Sequence, residues 1–150
     1  MTEQERGQPS AAELRAFAYR LLGRREYCVF ELDQRLRRKW PGLAPGPLAE
    51  LLEALVAENL LSDERFAESA ARSLVQRQQG PLKIRAALRA RGVADALIAR
   101  ELERYSDQWV DLAASWLERQ HPGPLDFDAR QNHYRRLVNR GFTHDQAMDA

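Results

Sequence analysis

The sequence predicts an all-α protein: three tandem three-helix repeats forming an elongated, curved array. Three observations carry that prediction. No segment alternates apolar and polar residues with the period of two that a half-buried strand requires, whereas apolar residues recur at three- and four-residue spacing along most of the chain. One short pattern also returns. Leu88-Arg89-Ala90-Arg91-Gly92-Val93 and Leu137-Val138-Asn139-Arg140-Gly141-Phe142 both read as a core leucine, a basic residue, a stop glycine and an apolar residue. Leu36-Arg37-Arg38-Lys39-Trp40 is a third copy with its glycine delayed to Gly42, and the three leucines stand 52 and 49 residues apart. Finally, units of that size are marginal alone, so 150 residues divided in three must share interfaces.

The elements follow in order. Residues 1–10 are polar and expected to be disordered. The first repeat, residues 11–60, opens on Ser10 and Glu13 at capping-box spacing, and Leu14, Phe17, Ala18, Leu21 and Leu22 give a helix to about Gly23. After the turn at Arg24-Arg25-Glu26-Tyr27-Cys28, Glu31 takes the capping-box position relative to Cys28, and Val29, Leu32 and Leu36 line a second helix. Pro41 to Pro47 is the clearest break. Leu48, Leu51, Leu52, Leu55, Val56 and Leu60 then form a third helix.

The second repeat, residues 61–105, starts with Ser62 as N-cap, and Asp63 and Glu64 lie at the positive end of a helix carrying Phe66, Ala70, Leu74 and Val75. Gly80 and Pro81 end that helix and open a short basic one, which Gly92 stops in the left-handed conformation. Leu97, Ile98, Leu102 and Tyr105 follow in a third helix. In the third repeat, residues 106–150, Trp109, Val110, Ala113, Trp116 and Leu117 precede a Pro122-Gly123-Pro124 break, and Tyr134, Leu137 and Val138 come after it. Thr143 and Gln146 are a capping box for the last helix.

A net charge of +1 conceals strong segregation. Arg15 to Trp40 carries eight cations against three acids; Pro41 to Ala71 has one cation against six acids. Arg72 to Val93 has six cations and no acid, Ala94 to Asp111 two against five, and Ala129 to Gly141 four arginines and no acid. One reading is mutual neutralisation between helices of each repeat, which stabilises little. The other is a basic ridge built from equivalent helices, separate from an acidic surface. Only Lys39 and Lys83 are lysines, and a bias to Arg suits planar, two-pronged contact with carboxylate or phosphate.

The sequence argues against catalysis. His121, His133 and His144 are spaced irregularly for a helical metal pair and Cys28 lies far from them, so surface histidines are expected and no metal or cofactor is. Neither a phosphate loop nor a nucleophile elbow is present. The lone Cys28 excludes an internal disulfide, and no apolar run spans a membrane. The start of the chain lacks a signal-peptide pattern, so a soluble, cytoplasmic protein is expected. Trp109 and Trp116, seven apart, read as core, whereas Tyr27 at a helix tip is either an exposed aromatic or a staple. A basic second helix in each trio resembles a helix-turn-helix reader, yet Gln34 and Asn139 are nearly its only base-reading amides, so anion contact fits better.

Three motifs in order point to a family. Arg24-Arg25-Glu26-Tyr27-Cys28 with Glu31-Leu32, then Leu61-Ser62-Asp63-Glu64-Arg65-Phe66-Ala67, then Gly80-Pro81-Leu82-Lys83-Ile84 with Leu88 and Arg91-Gly92-Val93, resemble the bacterial RecX regulators from about Leu14 to Ala150. The resemblance implies a non-enzymatic negative regulator that lodges in the groove of the RecA filament on DNA. There it would suppress ATP hydrolysis, strand exchange and the co-protease activity that triggers the SOS response. A monomer that binds RecA, with single- or double-stranded DNA as a further partner and no membrane, is expected. The candidate contact residues are Arg24, Arg25, Arg37, Arg38, Lys39, Arg77, Lys83, Arg85, Arg89, Arg91, Arg135, Arg136 and Arg140. The alternative is an independent DNA-binding protein that competes for DNA through a basic helical face.

Overall fold

The computed structural model describes residues 7–121, 123–124 and 126–150. Among them are nine helices and no strand: α1 (Ala11–Leu22), α2 (Val29–Lys39), α3 (Pro45–Ala57), α4 (Asp63–Gln76), α5 (Pro81–Ala90), α6 (Asp95–Glu103), α7 (Trp109–Gln120), α8 (Phe127–Asn139) and α9 (His144–Asp149). None is long and apolar enough to cross a membrane. The expected disorder of residues 1–6 and the Pro122 part of the break lie outside the described residues. Gln8, within the stretch expected to be disordered, is held: its side-chain amide receives the Ala44 N–H at 2.8 Å and donates to the Gly42 carbonyl.

Local sequence accounts for most helix ends. Ser10 Oγ accepts the Glu13 N–H at 3.1 Å, Ser62 Oγ that of Arg65 at 3.2 Å, and Thr143 and Gln146 close both bonds of their capping box. Gly92 and Gly141 take φ of +73° and +98°, as stop glycines should. Asn59 and Gln78 end α3 and α4 the same way with φ near +60°. Three boundaries differ from expectation. α3 begins at Pro45 rather than after Pro47, because a proline in the first turn lacks only an N–H that would have no helical partner. Tyr105 falls in the turn after α6. Cys28 and Glu31 form no capping box: the Val29 N–H is received at 2.8 Å by Asp63, and Glu31 turns elsewhere.

The chain forms two compact units. The first holds the residues up to Phe66 together with Arg91–Val93. In it α1, α2 and α3 pack on one another around Leu14, Ala18, Leu32, Leu36, Leu48 and Leu55, each almost wholly buried. Trp40 closes the end of this core edge-on against Phe17 at 5.3 Å. Val56 and Leu60, expected on the apolar stripe of α3, are instead nearly half exposed. The second unit holds Ala67–Ala90 and Ala94–Ala150. There α5 packs on α6 through buried Ile84, Leu88, Ile98 and Leu102, while α9 packs on both α7 and α8. Trp109 and Trp116 are core residues, as their spacing predicts. Leu74 and Val75 are only half-buried.

A joint of the same design occurs inside each unit. In the first, the stop turn Arg91-Gly92 lies against the start of α2: Cys28 Sγ donates to the Arg91 carbonyl at 3.1 Å, and a Cβ on Gly92 would meet Phe30 at 3.0 Å. In the second, the stop turn Arg140-Gly141 lies against the start of α5. The Gly80 N–H donates to the Arg140 carbonyl at 2.7 Å and the Leu82 N–H to the Gly141 carbonyl at 2.9 Å. These backbones approach so closely that a Cβ on Gly80 would lie 2.3 Å from the Gly141 carbonyl carbon. One on Gly141 would lie 2.4 Å from Lys83 Cβ. The sequence repeat of the stop glycine is therefore also a repeat of packing, in which each stop turn seats on the start of a basic helix.

Candidate basic interface

Of the thirteen candidate cations only Arg140 is half-buried; the rest are exposed. What separates them is whether the protein already occupies them. In the first unit, Arg25 and Arg91 converge on Glu31, a carboxylate with 7% exposure. Arg25 donates to it at 2.8 Å and Arg91 to its other oxygen. The bond to Glu31 raises the Arg25 pKa, so that guanidinium is held charged. The Arg25 guanidinium also covers the Tyr27 ring at 3.8 Å, and Tyr27 is buried. Tyr27 is thus the staple of the α1–α2 turn and not an exposed aromatic. Arg37 pairs with Asp33 at 2.7 Å along α2, and Lys39 lies 6.0 Å over the Trp40 ring. Arg24 and Arg38 have neither hydrogen bond nor ion pair from their side chains among the described residues.

The second unit divides the same way. Arg140 donates from its guanidinium to the carbonyls of Gln78 and Arg77 and lies 5.1 Å over Trp116. Burial lowers its pKa, with the neighbouring Arg136 charge adding to the effect. Arg140 is thus a clasp on the end of α4. Arg136 covers the same indole at 5.1 Å, and Lys83 Nζ donates to the Asn139 carbonyl at 3.2 Å. Arg89 pairs with Asp95 at 3.0 Å, which lowers the pKa of that carboxyl; Arg85 contributes to the lowering only from a distance. The side chains of Arg77, Arg85 and Arg135 have neither hydrogen bond nor ion pair among the described residues.

The candidates therefore sort into occupied cations and available ones. Arg25, Arg91, Arg140, Lys83 and Arg136 serve the fold, Lys39 lies over the Trp40 ring, and Arg37 and Arg89 sit in exposed pairs that water screens and a partner can displace at small cost. Arg24, Arg38, Arg77, Arg85 and Arg135 present five open guanidinium forks for carboxylate or phosphate.

Two polar centres escaped sequence reading. Glu31, which its spacing from Cys28 marks as a cap, is the anchor of the first joint. His133, expected at the surface, is 8% exposed, with its ring 6.5 Å from Trp116 and 5.7 Å from His121 and its Nδ1 unpartnered. A signal for His133 existed, since it precedes the core Leu137 by four residues on one helical face. Among the described residues no group of three His, Cys, Asp or Glu side chains could hold a metal ion. Cys28 is fully buried, and burial raises its pKa, keeping the thiol protonated and unreactive.

Residues 62–102 match the family model of the RecX second three-helix domain. Two regulatory proteins RecX are each 43% identical to this chain. That of Chromohalobacter salexigens matches over 134 residues, 89% of this chain and 87% of the relative. That of Halorhodospira halophila matches over 148 residues, 97% and 90%. The crystal structure of RecX from Lactobacillus salivarius superposes with a TM-score of 0.79 over 92% of each chain at 20% identity, a likeness of fold. Near-full-length identity at this level, joined to the shared all-α fold, places the chain in the RecX family of regulatory proteins.

Proposed function

We propose that this protein is a cytoplasmic negative regulator of the RecA recombinase, acting as a monomer on the RecA filament assembled on DNA. It would inhibit ATP hydrolysis, strand exchange and co-protease activity, and so restrain homologous recombination, DNA repair and the SOS response. The observation that carries this reading is membership of the RecX family along nearly the whole chain. A protein without chemistry of its own regulates by binding one state of its target more tightly than another. Contact with neighbouring filament subunits would oppose the motion that accompanies ATP turnover.

The available cations are the contacts proposed for each unit. Arg38 on α2 and Arg85 on α5 occupy corresponding helices of successive trios, each exposed and free of an ion pair. They would meet RecA carboxylates or DNA phosphates. The double variant Arg38→Glu, Arg85→Glu is expected to lose inhibition of RecA ATP hydrolysis while keeping the wild-type circular dichroism spectrum. Retained inhibition in that variant would remove these residues from the interface. The competing DNA-binding reading draws on the acid-free stretch from Arg72 to Val93 and has its own signature, a steep loss of affinity for bare DNA with added salt.

A further inference from the structure

We infer that the hollow between α8 and α9 is a docking site for an acidic peptide segment carrying one bulky apolar side chain. The hollow is open, about 560 Å³, and lined by Phe127, Arg130, Tyr134, Arg135, His144 and Met148. Phe127 is 72% exposed and Met148 64%, among the most exposed large apolar side chains of the protein. Both come from the same small surface, where ordinary folding would have buried or replaced them. The wall between them is already ordered: the Tyr134 hydroxyl and His144 Nδ1 are hydrogen-bonded at 2.7 Å, and their rings meet edge-on at 5.6 Å. An apolar side chain that enters therefore meets fixed aromatic rings and loses little more entropy than its own.

Charge selects the occupant. The side chains of Arg130 and Arg135 line the hollow with no hydrogen bond or ion pair among the described residues, leaving two guanidinium forks beside the apolar floor. A carboxylate on either side of an apolar anchor would satisfy both. The surroundings oppose a polyphosphate. Asp126, Asp128, Asp145 and Asp149 match the four arginines between 126 and 150, so the region has no net positive charge to hold a nucleic-acid backbone. An anchor with one or two local carboxylates uses the two forks without running along those aspartates. Arg135 is shared with the available cations of the proposed interface, but the hollow is read by peptide binding without RecA or DNA, so the two readings can fail separately.

The test is selection of the full-length chain against a phage-displayed library of random peptides. The enriched sequences are expected to place an aromatic or large aliphatic residue next to at least two acids. A synthetic copy should bind about tenfold more weakly to Phe127→Ala, and again to the Arg130→Glu, Arg135→Glu double variant. The exposure of Phe127 and Met148 makes Phe127→Ala and Met148→Ala safe for folding, so they decide the matter if the charge reversal unfolds the protein. Four results would overturn the proposal: no enrichment, enrichment of basic or uncharged peptides, binding that survives these substitutions, or displacement of the peptide by oligothymidylate. Sedimentation showing a dimer that Phe127→Ala dissociates would also overturn it, by making a second copy of the chain the occupant.

Discussion

Replacing Gly80 by Ala should be among the most damaging conservative changes in this protein, and the reason lies in the second joint. Gly80 does not need a left-handed backbone; it needs room, because an added Cβ would stand 2.3 Å from the Gly141 carbonyl carbon and 2.4 Å from the Phe142 nitrogen. Both neighbours are backbone, so no side-chain rotation relieves the overlap. The stop turn must retreat from α5, which breaks or lengthens the Gly80 to Arg140 and Leu82 to Gly141 hydrogen bonds. Each bond contributes about 0.5–1.5 kcal/mol, and overpacking costs roughly 1–3 kcal/mol more. The stiffer unfolded chain returns about 0.4–1 kcal/mol, leaving a net destabilisation of about 1–6 kcal/mol, centred near 3. Gly42 is the internal control. It lies in the turn before α3, is followed by Leu43 and not by a proline, and has no group other than its chain neighbours within 4 Å of an added Cβ, so Gly42→Ala should stay within about 0.5 kcal/mol of wild type. Urea unfolding followed by circular dichroism reads both, and for Gly80→Ala the midpoint should fall by about 1–2 M. A Gly80→Ala variant within about 1 kcal/mol of wild type would refute the joint as a point of rigid backbone contact.

Two further substitutions probe buried polar groups. Arg140→Ala should cost about 2–3 kcal/mol because two carbonyls lose a charged donor and Trp116 loses one of its two guanidinium neighbours, whereas Arg135→Ala should stay within about 0.5 kcal/mol; thermal or urea unfolding distinguishes them. Glu101 is 2% exposed with one carboxylate oxygen unpartnered, and burial raises its pKa against the opposing charge of Arg104, 3.4 Å away. The unfolded chain ionises this group first, near pH 4.3, so its contribution to stability falls as pH rises from there to the raised folded value. Glu101→Gln should therefore gain on wild type across that window and hold the gain at neutral pH, as read from urea midpoints at a series of pH values; a constant difference down to pH 3 would contradict it.

The repeat was legible in sequence because the stop glycines obey local rules. Gly92 and Gly141 need positive φ, and Ser10, Ser62 and Thr143 cap helices whose first turns lie three residues on. What escaped depends on chain segments far apart. The Val29 N–H is capped by Asp63 from 34 residues away, a partner that no local window contains. Gly80 reads as a helix breaker, although its defining neighbour is the Gly141 backbone. Asn59 and Gln78 end helices in a conformation that glycine would mark more plainly. The candidate interface was half legible for the same reason: sequence counts cations but not their partners. It therefore could not separate Arg85, which is open, from Arg140, which is spent on two carbonyls, or Arg38 from Arg91, which is spent on Glu31.

The central claim, that the protein acts on the RecA filament and not by occupying DNA, is tested most directly by single-stranded-DNA-dependent ATP hydrolysis of RecA from the same organism. The protein is titrated at fixed DNA, and the titration is repeated with DNA in excess. The account predicts inhibition at protein concentrations far below that of DNA binding sites, unchanged by added DNA. Inhibition that appears only when the DNA is saturated, and that added DNA relieves, would contradict it.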